Sequence, residues 1–340
     1  MICIIVLLAT PVFGLEFEAP AAPDTASEFM PQTSSNFAQD LIHVMKAAIA
    51  AVLPQMKEAM TVCLSVSAMF LLISLLQSFS GSSKRIVNLA GVLGVAILLL
   101  QPAAAFINLG ADTIKELSEY GKLLMPVMAG ALAAQGATGT SAALYMGTAV
   151  LDSVLMTFLS KLVMPIMYIY ICLCIANSAL QDQMIRNLKE FGKWLITWSL
   201  KTALYVFTGY MGITGVISGT ADAAAVKAAK LTINSTVPVV GNILSDASEA
   251  ILVSAGLMKN AAGIYGILAI TAIFIGPFLK IGIQYLLLKF TAAVCGVIGP
   301  KELSGLVQDF SGSMGLILAM TGTVCLLLLI STVCFMKGVG

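Results

Sequence analysis

LLMPVMAGALAAQGATGTSAALYMGTAV, residues 123–150, decides how many times this chain passes through a bilayer. The stretch is long enough for a span, but it is built from Gly, Ala, Ser and Thr, carries a Gln, and breaks at Gly136–Thr140. Non-helical backbone at membrane depth survives only where protein buries it or water reaches it. The stretch therefore reads as a re-entrant hairpin. The alternative is a span of small residues packed tightly against its neighbours, which would invert the orientation of everything after it.

The surroundings make a membrane the relevant solvent. Apolar residues are 59% of the 340 and charged residues 10%, with a mean hydropathy of +0.98. A soluble domain carries about a quarter charged residues. The fold class is all-α, a polytopic integral membrane protein, because a span needs about 20 mainly apolar residues and several segments supply them. These are 59–79, 86–107, 154–180, 194–217 and 312–336, with 261–299 long enough for two more. A net charge of +1 says nothing about nucleic acid, and no basic run exists that could bind it.

Residues 1–14 (MICIIVLLATPVFG) resemble the apolar core of a secretory signal, too short to span and closed by Pro11 and Gly14. Residues 15–58 follow as an acidic, proline-bearing leader and an amphipathic helix over 36–58, with Phe37, Leu41, Val44, Ala48 and Val52 on one face. That helix is expected on the membrane surface or against a partner. The polytopic domain is 59–340.

Cytoplasmic loops carry the excess of Lys and Arg. Placing Lys84 and Arg85, the group Arg186, Lys189 and Lys193, and the tail Lys337 on the inside gives seven spans. In this arrangement 261–299 crosses twice, with a turn near Pro277–Gly282, and 218–260 lies outside with the leader.

Segment 218–260 reads as two amphipathic helices. Val226, Ala229, Ile233 and Val237 stripe the first; Val240, Leu244, Ala247, Ile251, Ala255 and Met258 stripe the second. Pro238 and Gly241 break them, since proline disfavours helix at the preceding residue and glycine permits a turn. Three lysines balance three acids, whereas a helix made to bind anionic lipid is lysine-rich. A hairpin that docks on a partner or dips into the membrane fits better.

Single residues give few sites. Asp152 stands between the hairpin and the next span, where a loop position at the membrane edge accounts for it; at mid-bilayer it would require a partner or water. Lys161 is half a helical turn away and is not that partner. Lys289 falls near the centre of a span over 282–299 and is the candidate for lining a path or pairing with a buried charge. Lys280 sits at the proposed inner turn. Gly215 and Gly219, in GYMGITGVISG, have the spacing that brings helix backbones close, and Gln101–Pro102 marks a kink. The seven cysteines lie in apolar runs and read as small fillers rather than disulfide partners. No metal or cofactor is expected: the lone histidine is His43, and HExxH, GxSxG and the phosphate-binding GxxxxGK[ST] loop are missing.

The run ADAAAVKAAKLTINSTVPVVGNILSDASEAILVSAGLMKNAAGIYG, residues 221–266, resembles the corresponding region of the stage III sporulation protein AE family of endospore-forming bacteria. The features that carry it are the Ala- and Lys-containing helix, the PVVG break and the SDASE helix, with the signal-like start and span layout around them. The resemblance implies a role in endospore formation, in the mother-cell membrane around the forespore. There, proteins of the same operon, one an ATPase, and a forespore membrane partner are thought to build a secretion-like channel. The expectation is a non-enzymatic subunit of that assembly, with a stand-alone secondary transporter as the alternative.

Overall fold

The computed structural model describes residues 19–31, 37–80, 83–134, 139–213 and 241–337. All secondary structure among them is helical. Helix α1 is Asp24–Ser27, α2 Phe37–Val52 and α3 Met56–Phe79, the last two joined by a 3-10 turn at Leu53–Gln55. Helix α4 is Lys84–Ala134 and α5 Gly139–Phe158. A π turn at Leu159–Val163 leads into α6, Met164–Leu180. Helix α7 is Gln183–Ile213, α8 Gly241–Ile298 and α9 Lys301–Lys337.

Among the described residues, five stretches are long and apolar enough to cross a membrane: Phe37–Phe79, Lys84–Ala131, Met146–Leu180, Asn260–Val297 and Lys301–Met336. Four contain the predicted spans 59–79, 86–107, 154–180 and 312–336. The predicted span 194–217 is not among them. Its described part belongs to α7, where Arg186, Lys189, Glu190, Lys193 and Lys201 interrupt the apolar pattern.

The helices run alternately up and down. Around the 80–83 connection Gly91 faces Ile73 and Gly94 faces Met69. Around 181–182 Gly192 faces Tyr170, and around 299–300 Gly296 faces Ser304 while Gly315 faces Tyr285. Gly299 packs on Phe70, so these connections share one end of the bundle. At the other end Gly121 meets Leu328, Gly263 meets Met336, Gly266 meets Leu124 and Gly147 meets Tyr210. Counting α2 with α3 and α5 with α6, the described residues make six passes along the bundle axis.

Three expectations change. Residues 261–299 do not turn at Pro277–Gly282; α8 runs straight through Pro277. A proline removes one backbone hydrogen bond, and neighbouring helices compensate in a packed membrane bundle; here α9 packs against α8. Lys280 is therefore a mid-helix residue. Next, the second predicted amphipathic helix does not end at 260, because α8 starts at Gly241 and continues to Ile298. Lastly, Lys337 ends a helix that begins at the basic end and finishes at the opposite one, so it does not share a side with Lys84, Arg85 and Arg186.

The described part of the acidic leader, residues 19–31, is also more ordered than its composition implies. The Ala22 N–H donates to the Tyr265 hydroxyl at 3.3 Å, and the Thr25 hydroxyl donates to Glu116 Oε2 at 2.8 Å. Ala26 is buried and Phe29 lies by Gly276. Its apolar residues thus bind it as a strap across α4 and α8. The predicted surface helix α2 continues through the Pro54 turn into α3, and its buried Val44, Ala48 and Val52 form the stripe that packs on α8. Proline in a first turn costs little, since its missing N–H has no intrahelical acceptor there. The signal-like residues 1–14 lie outside the described residues.

Candidate functional site

At the basic end a cleft of about 750 Å³ opens between the α6–α7 and α8–α9 connections. Its shape follows from local chemistry. Helix α6 stops where Gln181 adopts the left-handed conformation at φ 54°, its N–H bonding Asn177 O at 3.0 Å. Asp182 Oδ1 then accepts the Met184 N–H at 2.6 Å, satisfying a free donor at the start of α7. Helix α7 leaves antiparallel, with Arg186, Lys189, Glu190 and Lys193 at i, i+3, i+4 and i+7 lining the cleft. The first turns of α9 bring Lys301, Glu302 and Asp309 to the facing wall, and α8 brings Tyr285 and Lys289.

The cleft is organised around one ion pair. Lys189 Nζ donates to both Asp309 oxygens, at 3.1 and 3.0 Å, and Lys189 is buried. Glu190 lies farther from the same ammonium, at 3.7 Å. Charges this enclosed persist only when paired and hydrogen-bonded. The Ser313 hydroxyl bonds the Asp309 carbonyl at 3.0 Å, which closes one helical turn beside the pair.

Lys289, predicted to line a path or pair with a buried charge, does line this cleft but is exposed. It donates to the Tyr285 hydroxyl at 3.0 Å, with its ammonium 5.3 Å from that ring's centroid. Tyr285 is fixed in turn, its carbonyl accepting the Ser311 hydroxyl at 3.1 Å.

Asp152 is at the opposite end and is not a loop residue. It lies inside α5, 2% exposed, and its Oδ2 accepts a hydrogen bond from the Ser331 hydroxyl of α9. Its Oδ1 has no hydrogen-bond partner among the described residues. A cavity of about 230 Å³ beside it is also lined by Ser118, Lys122 and Ser153. The loop reading fails because the hairpin arm and the following span form one pass, α5 to α6, with Asp152 inside it. Lys161 sits in the π turn, facing outward.

The structure thus separates the two predicted charges by much of the bundle. Gly215, Gly219 and Pro238 lie outside the described residues, while Gly241 is the first residue of α8. Asp309 and Ser331 escaped sequence reasoning because their partners are 120 and 179 positions away. The available signal was a carboxylate one turn before the apolar run of α9, at the level of the basic stretch of α7.

Comparison with known proteins places the chain. The family model described as stage III sporulation protein AE matches residues 25–338. Stage III sporulation protein AE of Bacillus subtilis (strain 168) is 23% identical over 235 residues, covering 69% of this chain. The matched region spans 59% of that relative's length. No solved structure matches. Since the family model covers the bundle from the leader strap to the last turn of α9, the chain belongs to the stage III sporulation protein AE family.

Proposed function

We propose that this protein is a non-enzymatic membrane subunit of a multiprotein, secretion-like assembly required for spore development. It would reside in the mother-cell membrane around the forespore, working with other stage III sporulation proteins and a forespore membrane partner. Energy from nucleotide hydrolysis would come from another subunit, because the sequence carries no phosphate-binding loop. The observation that carries the reading is the family match across the whole described bundle.

On this reading the end bearing Lys84, Arg85, Arg186, Lys193 and Lys301 faces the mother-cell cytoplasm. Six crossings replace the seven of the charge-based count, α7 being the least apolar. The leader and the end of α9 then share the outer side, towards the forespore. Residues 123–134 complete α4 and 139–150 open α5, which supports reading these two helices as full crossings in place of a re-entrant hairpin.

The test is photo-crosslinking from residues 225–255 in sporulating cells. Capture of other sporulation membrane proteins supports the proposal. Capture of none, together with solute flux by the purified protein alone in liposomes, would instead favour a transporter.

A further inference from the structure

We infer that the cleft between the α6–α7 and α8–α9 connections is an anion site, and that it takes the phosphate group of a phosphate-bearing ligand. This goes beyond the role proposed above and does not depend on any protein partner.

The first support is charge. Five cations line the cleft, Arg186, Lys189, Lys193, Lys289 and Lys301, against three carboxylates, Glu190, Glu302 and Asp309. Asp309 and Lys189 satisfy one another. The rest leave an excess of two positive charges, the charge that a phosphate group of one to two negative charges would neutralise.

The second is backbone. Helices α7 and α9, of 31 and 37 residues, both begin at the cleft, and the N-terminal end of a helix carries roughly half a positive charge with unsatisfied N–H groups. Asp182 already occupies part of the α7 terminus, leaving the start of α9, beside Lys301, as the more available donor set.

The third is geometry. Arg186 supplies the planar fork that recognises phosphate oxygens, and Lys289 and Lys301 supply point charges. Lys289 is held in place by the Tyr285 hydroxyl, so little side-chain freedom remains to be lost on binding. A volume of about 750 Å³ accommodates a phosphate with its attached group.

Two sources share this chemistry, a lipid headgroup and a soluble phosphate compound. On α7, Phe191, Trp194 and Trp198 form an exposed row with ring centroids 5.8 and 6.0 Å apart. Aromatic rows of this kind collect at the membrane–water interface, the depth of lipid phosphates.

The experiment uses the full chain in dodecyl maltoside micelles, which carry no phosphate. Phosphatidylglycerol is titrated into the micelles in one arm, inorganic phosphate into the buffer in the other, and acylation of Lys289 and Lys301 is followed by mass spectrometry. Protection of both lysines by either probe supports the site, and the arm that protects identifies the source. A double variant, Arg186→Gln with Lys289→Gln, is expected to weaken protection of Lys301 at least tenfold. The control Lys84→Gln with Arg85→Gln removes as much charge from the same end and is expected to change it less than twofold. Absence of protection in both arms, or equal loss in variant and control, overturns the inference. The protection measurement on the unmodified chain does not depend on the variants folding.

Discussion

Ser331 donates its hydroxyl proton to Asp152 across 179 positions of sequence, tying the third pass of the bundle to the last. Both residues are buried, so the bond carries more weight than one on a wetted surface. Removing one partner of a buried hydrogen bond costs about 1–3 kcal/mol, because the group left behind stays desolvated. Ser331→Ala should therefore lower the unfolding temperature in detergent by several degrees. In an Asp152→Leu background the same substitution should have little effect. Equal shifts in both backgrounds would show that the two side chains are not coupled.

The Lys189–Asp309 pair should behave as a unit. Lys189→Met strands a carboxylate in the floor of the cleft, and breaking a buried pair from one side typically costs about 3–5 kcal/mol. Replacing both, as Lys189→Met with Asp309→Leu, should recover most of that loss. Protease resistance of the membrane-extracted protein measures the ranking: single variant least resistant, double variant near the original.

Close approach on α4 yields a graded prediction. A methyl group at Gly110 would lie 2.5 Å from Ile317 Cγ2, and one at Gly121 would lie 2.5 Å from Leu328 Cδ2. The leucine atom ends a flexible side chain, whereas the isoleucine atom is attached at Cβ and moves only with a χ1 change. Gly110→Ala should cost about 1–3 kcal/mol, the range for overpacked cores, and Gly121→Ala less. Thermal unfolding of the two variants side by side decides it.

The pass count is open to thiol labelling in a cysteine-free background. Single cysteines at positions 80, 183 and 301 should react from one side of the membrane. Those at positions 27 and 337 should react from the other. Labelling of 337 together with 80 would restore an odd number of crossings.

The pattern of spans was readable because lipid imposes a simple demand: long apolar runs in which every backbone group is satisfied within the helix. Segments 59–79, 86–107, 154–180 and 312–336 meet it without help. Residues 261–299 misled, because Pro277 and Gly282 resemble a turn locally while the helix continues through them, packed against α9. Lys289 was visible as a misplaced charge, but the partners that make it part of a cleft come from α7 and α9. Such pairings carry no local periodicity, so Asp309 and Ser331 look ordinary in the sequence.

Helix α4 has 51 residues, so at 1.5 Å per residue it is about 77 Å long. A hydrocarbon core is about 30 Å thick. Even tilted by 40°, the upper end of what spanning helices adopt, the bundle still stands about twice as tall as the lipid that holds it. Much of its height must then meet water or other proteins. The part that stands outside the hydrocarbon is built from the same helices that anchor the protein in it.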